Sequence, residues 1–236
     1  MRPDHPILAH RAHLKAAGRT APWVALFDID STLMDTSPRN VAIVEAAFDA
    51  LPGLAPWRSR LESHRPSWNV LDPLRRAGVT DESLLAEVQH FWRQRFFTDA
   101  WLAHDTPYPG VAAFLHALKD EGFRLAYLTG RDTVGMEAGT RKSFADHGLP
   151  SGPEEVFFFK PAFEMDDREF KASVCEHVAA LGTLVVTVDN EPANVNLFRS
   201  AFPEALVVWL DTVTSPHPEP LVQGIEKAKP DYFRLP

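Results

Sequence analysis

The chain has 236 residues, 45% of them hydrophobic, which supports one large domain or a core with a smaller insert. Its formal charge of 24 − 32 = −8, with no long run of either sign, argues against a nucleic-acid-binding surface. Cys175 is the only cysteine, so an intrachain disulfide and a thiolate-rich zinc site are excluded.

Residues 1–21 read as an arm or a short helix. Met1–Thr20 is polar and basic with no apolar stretch, so it is not expected to be a secretory signal. No later stretch reaches the roughly 18 apolar residues of a membrane span. Together with the lone cysteine, this fits a cytoplasmic protein with no membrane partner. Five short apolar runs then predict buried strands: Trp23–Phe27, Arg124–Leu128, Val156–Phe159, Leu184–Val188 and Leu206–Leu210. They do not alternate cleanly, as suits strands covered on both faces. Helical patterns lie between them at Val111–Asp120, Met136–His147, Phe170–Leu181 and Glu191–Phe202, three of them stopping at glycine and one before Pro203. This rhythm predicts an α/β fold with a Rossmann-like, doubly wound parallel sheet.

One interval breaks the rhythm. Residues 40–104 hold helical patterns, Val41–Leu51 and Asp81–Phe97, and four of the six tryptophans, but no convincing strand. We read 40–104 as a helical cap and 1–39 with 105–236 as the α/β core. Most cap aromatics are expected to pack in a small bundle, with Trp68 or Trp92 candidates to face the active site. The tail Ser215–Pro236 is expected to wrap the surface without regular structure.

The first strand ends in two carboxylates, Asp28 and Asp30, followed by Ser31-Thr32. At i and i+2 on an extended segment they point the same way, and two such charges repel unless a cation compensates them. The pattern suggests a metal-assisted site in which one carboxylate attacks and the other moves a proton. In open α/β sheets, ligands bind beyond the carboxyl ends of the strands. Those ends carry Thr129-Gly130-Arg131 after the second strand, Lys160-Pro161 after the third and Asp189-Asn190-Glu191 after the fourth.

Three segments, Phe27-Asp28-Ile29-Asp30-Ser31-Thr32-Leu33, Tyr127-Leu128-Thr129-Gly130-Arg131 and Val188-Asp189-Asn190-Glu191, resemble the motifs of the haloacid dehalogenase-like (HAD) hydrolases, mostly phosphatases. Tyr108-Pro109-Gly110-Val111 is similar to the family's entry into the helix before the second motif. The resemblance implies that Asp28 is the nucleophile and forms an aspartyl-phosphate. Asp30 would be the acid and base, and Thr129 with Gly130 would hold a phosphoryl oxygen. Gly130 would also let the backbone turn sharply. A lysine would neutralise charge, with Lys171 at a helix start favoured over Lys160. Mg²⁺ is the implied cofactor, held by Asp28, the Asp30 carbonyl and Asp189, with Asn190 a ligand or a support. Glu191 is expected to act through water or to cap the next helix, and Asp132 to cap the helix after the second motif. Arg131 would contact substrate or pair with a carboxylate. Ser31 stands where the family more often has glycine.

The implied activity is release of phosphate from a small phosphomonoester, with the phosphorylated small molecule as partner. The alternatives are a polynucleotide-end phosphatase, a phosphomutase or a catalytically degenerate binding protein. Neither the substrate nor the oligomeric state follows from the sequence.

Overall fold

In the computed structural model, the described residues are 1, 5–61 and 67–235. After helix α1 (Pro6–Ala16) come strands β1 (Trp23–Phe27) and β2 (Met34–Asp35). The helical interval follows: α2 (Ser37–Ala50), a 3-10 segment at Pro52–Arg60, α3 (Asp72–Ala77), α4 (Glu82–Phe96) and a second 3-10 turn at Asp99–His104. Then come β3 (Thr106–Pro107), α5 (Val111–Asp120), β4 (Phe123–Asp132), α6 (Glu137–Asp146) and β5 (Val156–Lys160). The chain ends with α7 (Asp167–Leu181), β6 (Thr183–Asp189), α8 (Pro192–Ala201), β7 (Leu206–Leu210), β8 (Glu226–Ala228) and a 3-10 turn at Pro230–Phe233.

Six strands form one parallel sheet in the order β5-β4-β1-β6-β7-β8. Alternate β1 residues feed opposite cores, because successive side chains on a strand point to opposite faces. Ala25 and Phe27 pack with α1, α5 and α6 through Leu14, Phe114 and Phe144. Val24 and Leu26 pack with α7 and α8 through Val174, Val178 and Phe198. Both faces are therefore covered, which is why the strands read as apolar runs. In α5 the i, i+3, i+4, i+7 stripe of Val111, Phe114, Leu115 and Leu118 is wholly buried, as its spacing predicts. The chain passes from β1 to β4 to β5 on one side and returns to β6 beside β1, then on to β7. The reversal leaves the carboxyl ends of β4, β1 and β6 side by side.

The structure corrects the sequence reading in several places. The tail is not without regular structure: β8 extends the sheet against β7, and Phe233 is fully buried against Phe114. Helix α7 begins at Asp167 rather than Phe170, because the Asp166 carboxylate accepts the backbone N–H groups of Arg168 and Glu169 at 2.9 and 3.0 Å. β4 runs on to Asp132, so Thr129-Gly130-Arg131 lies within a strand. β2 and β3 form a two-residue antiparallel pair that joins the two chain passages flanking the helical interval. That interval has its own apolar cluster, including Val44, Phe48, Leu54, Leu74, Leu85 and Val88. Among the described residues, no helix is long and apolar enough to cross a membrane.

Candidate active site

Sheet register builds the site. Phe27 lies opposite Tyr127 on one side and Val188 on the other, so Asp28, Thr129 and Asp189 emerge together. The Asp28 N–H still donates to the Val188 carbonyl at 3.0 Å, extending the ladder to the carboxylate itself. The chain then folds back sharply. The N–H groups of Thr32, Leu33 and Met34 all point to the Ile29 carbonyl at 3.2, 3.0 and 2.9 Å, and Ser31 N–H donates to Met34. This loop puts Ser31 at φ +57°, a left-handed conformation that glycine adopts without strain.

Lys171 reaches from α7 to both acidic strand ends. Its Nζ donates to Asp28 Oδ1 and to Asp189 Oδ2, each at 2.7 Å. Asp189 is held further by the Glu191 N–H at 2.8 Å and by the Asn194 amide, 3.1 Å from each carboxylate oxygen. Burial raises the Asp28 pKa, Lys171 lowers it and Asp189 raises it again, leaving it at about 7. Burial alone would lower the Lys171 pKa, but the Asp189 and Asp28 charges outweigh it and raise it. Lys160 is engaged elsewhere. It donates to the Phe163 and Met165 carbonyls at 3.1 and 2.9 Å and pairs with Asp167 at 2.7 Å, holding the loop before α7.

Asp30 sits in a second charge network. Its Oδ1 accepts from Arg39 and from Arg131, each at 2.7 Å, and its Oδ2 accepts from Arg131 Nε at 2.9 Å. The fully buried Asp105 accepts from the same two arginines at 2.9 and 2.7 Å. Two cations thus balance two anions. Burial would raise the Asp30 pKa, but Arg131 and Arg39 overcome it and hold the carboxyl well below the usual range. Arg131 also donates to Thr140 Oγ1 at 2.9 Å, so of its two expected roles the structure displays the carboxylate pairing. Arg39 and Asp105, absent from the sequence reading, carry no motif. Their one legible signal is position, at the two ends of the helical interval.

Other expectations need revision. Gly130 has no positive φ; a Cβ there would lie 2.5 Å from Asp167 Oδ2, so a larger residue would displace the exposed Asp167 side chain. Thr129 is fully buried, and its Oγ1 accepts the Arg131 N–H at 3.2 Å. Asn190 accepts from Thr32 Oγ1 at 3.2 Å through its amide oxygen, and its amide N–H₂ donates to the Val213 carbonyl. The Glu191 carboxylate makes no cap bond to α8; it accepts from Ser215 N–H and Oγ at 2.7 and 2.9 Å. Asp132 caps no helix, but accepts the N–H groups of Val134 and Gly135 in the turn before α6.

These strand ends form the floor of a cavity of about 340 Å³ that Asp28, Asp30, Gly130 and Lys171 line from the sheet side. Trp68 and Trp92 line it from the helical interval. A family model described as haloacid dehalogenase-like hydrolase matches residues 24–201, which span every motif in this floor. The chain belongs to the haloacid dehalogenase-like hydrolase family. A haloacid dehalogenase-like family hydrolase from Streptococcus pneumoniae has a similar structure, with a TM-score of 0.53 at 13% identity over 88% of this chain and 94% of that one. A putative phosphatase from Clostridium difficile gives 0.53 at 15% identity over 83% and 88%. Protein Tyrosine Kinase A from Mycobacterium tuberculosis gives 0.53 at 18% identity over 87% and 92%. At these identities the likeness is one of fold. No curated protein matches the sequence.

Within this HAD-family site, no cluster of three or more His, Cys, Asp or Glu side chains able to hold a metal occurs among the described residues. The donors on hand are two side chains, Asp28 and Asp189, with the Asp30 carbonyl and the Asn190 amide oxygen near them in the chain. All are hard oxygens. Asp28 and Asp189 share the single Lys171 ammonium, 2.7 Å from each, so two carboxylates face one protein cation. Such a set fits a hard divalent cation that keeps most of its waters.

Proposed function

We propose that the chain is a Mg²⁺-dependent phosphohydrolase that cleaves a small phosphomonoester through an aspartyl-phosphate on Asp28. The observation that carries this reading is Lys171 bridging Asp28 and Asp189 at 2.7 Å each, at the floor of a cavity large enough for one small molecule. An Asp28 oxygen attacks phosphorus as the bond from phosphorus to the substrate oxygen breaks, and the leaving alcohol takes a proton from Asp30. Water then attacks phosphorus, breaks the Asp28–phosphate bond and gives a proton to Asp30. Lys171 offsets the phosphoryl charge and restrains the nucleophile. Asp28, Asp189 and the Asp30 carbonyl would hold the metal, with Asn190 beside them, and the bound Mg²⁺ would supply further positive charge to the phosphoryl oxygens.

The arginine network constrains the proton step. With Arg39 and Arg131 both bound, Asp30 stays ionised. Proton delivery therefore requires these contacts to loosen when substrate enters. Residues 40–104 act as the cap that excludes water from this step.

Phosphate release from p-nitrophenyl phosphate tests the proposal. Activity is expected with Mg²⁺ and lost in EDTA, and Asp28→Asn should lower turnover by several orders of magnitude. Full activity in chelator removes the metal from the account, and a wild-type rate for Asp28→Asn removes the nucleophile.

A further inference from the structure

Resting on the phosphohydrolase reading, we infer that the leaving alcohol carries a neutral, flat heteroaromatic ring, and that Trp68, Trp92 and Gln89 select it. At about 340 Å³, the cavity is at the small end of the roughly 300–1,000 Å³ typical of small-molecule sites. Its two walls differ in chemistry. The sheet side carries charge, whereas the described lining from the helical interval is uncharged, with Trp68, Gln89, Trp92, Phe96 and Phe97 its five largest members.

Three of these, Gln89, Trp92 and Phe96, fall at i, i+3 and i+7 on α4, so one helical face looks into the cavity. Trp92 is fixed in place. Its indole N–H donates to Asn40 Oδ1 at 2.7 Å, and its ring lies 4.6 Å from Phe96 and 5.5 Å from the edge-on Phe97. Phe96 is itself clamped under the Arg39 guanidinium, 3.9 Å from the ring centroid. A π-face held this firmly loses little freedom when a ligand ring covers it.

Trp68 is the complementary observation. It is 54% exposed, unlike the other tryptophans among the described residues, and it lines this cavity. A ligand ring that covers it removes apolar surface from water. The Gln89 amide adds donors and acceptors suited to a heterocycle's edge. A phosphorylated aliphatic acid would instead bring its carboxylate against a wall with no cationic side chain among the described residues, and would exchange its hydration for neutral donors alone. A sugar phosphate would offer the indoles only a small C–H face edged by hydroxyls, and so would cover less apolar surface than a flat ring. Nucleosides and small heteroaromatic alcohols share the chemistry that fits.

The test pairs turnover with binding. For the wild type and Trp68→Ala, phosphate release is measured for AMP, pyridoxal 5′-phosphate, glucose 6-phosphate and phosphoglycolate. In parallel, tryptophan-fluorescence quenching is titrated with AMP, pyridoxal 5′-phosphate and glucose 6-phosphate. The ring-bearing esters are expected to exceed the other two in kcat/KM by tenfold or more. Trp68→Ala should cut that ratio about tenfold, as loss of one base–aromatic stack does. Which ring-bearing ester leads identifies the source. Comparable turnover of all four, with every rate lowered alike in Trp68→Ala, overturns the inference and leaves the phosphohydrolase intact. Quenching by AMP or pyridoxal 5′-phosphate that is saturable and weakened in Trp68→Ala, with no phosphate released from any ester, supports the ring site and overturns the phosphohydrolase. No quenching by either ring-bearing ester overturns the inference.

Discussion

Replacing Arg39 with methionine should destabilise the protein by about 3–5 kcal/mol, the cost of removing one partner from a buried ion pair. The wild-type network sets Arg39 and Arg131 against Asp30 and Asp105, with both arginines and Asp105 almost wholly buried. Methionine keeps the apolar stem, so little of the loss is a cavity. What remains is one cation for two carboxylates. Asp30 is a third exposed and gains some relief from water, but Asp105 has none. Burial already raises the Asp105 pKa above 3.8 against the pull of Arg131 and Arg39, and loss of Arg39 raises it further. An acid with a raised folded pKa contributes most below its unfolded pKa, and that contribution is lost as pH rises towards the folded value. The Arg39→Met penalty should therefore grow from pH 5 to pH 8, by about 1.4 kcal/mol per unit of further rise. Adding Asp105→Asn restores one cation to one anion and should recover part of the loss at pH 8. Urea unfolding at both pH values, for both variants, supplies the numbers. A loss under about 1 kcal/mol that is the same at both pH values would refute a charge-balanced network.

The remaining predictions concern single positions. Lys171→Met should lower phosphate release by at least about 10²–10³-fold, the cost of losing one transition-state donor, whereas Lys160→Met should stay within about tenfold of wild type; equal losses in a phosphate-release assay would contradict the geometry. Ser31→Gly should stabilise the protein by up to about 1 kcal/mol in urea unfolding, since relief of about 1–2 kcal/mol of left-handed strain exceeds the roughly 0.4–1 kcal/mol cost of glycine's unfolded freedom. Phe233→Ala should cost about 3–5 kcal/mol if the tail completes the core, and a change under about 0.5 kcal/mol would return the tail to the surface.

The sheet was legible because its strands are buried on both faces and announce themselves as apolar runs such as Trp23–Phe27, whose limits the structure reproduces. Helix α5 was legible for a similar reason, since its stripe and its limits follow one periodicity. β8 was not: Glu226-Lys227-Ala228 is a polar edge strand, and only backbone pairing with β7 makes it one. The start of α7 carried a readable signal, Asp166 followed three residues later by Glu169, which periodicity alone overlooked. At the site, Asp28 and Asp189 could be placed together from the ends of the expected strands, whereas Lys171 joined them only through the resemblance to the HAD hydrolases, with Lys160 as the alternative. The arginine network could not, because Arg39 and Asp105 are 66 residues apart and meet only when both ends of the helical interval return to the sheet. The Asp167 carboxylate beside Gly130 was not legible either, because the two meet only in space.

In the proposed reaction phosphorus becomes bonded to Asp28. The direct measurement is a rapid acid quench during turnover of a ³²P-labelled phosphomonoester, followed by peptide mapping. Hydroxylamine-labile label is expected on the peptide that contains Asp28, and none in Asp28→Asn. Phosphate release at full rate with no label on that peptide, or with label retained in Asp28→Asn, would contradict it.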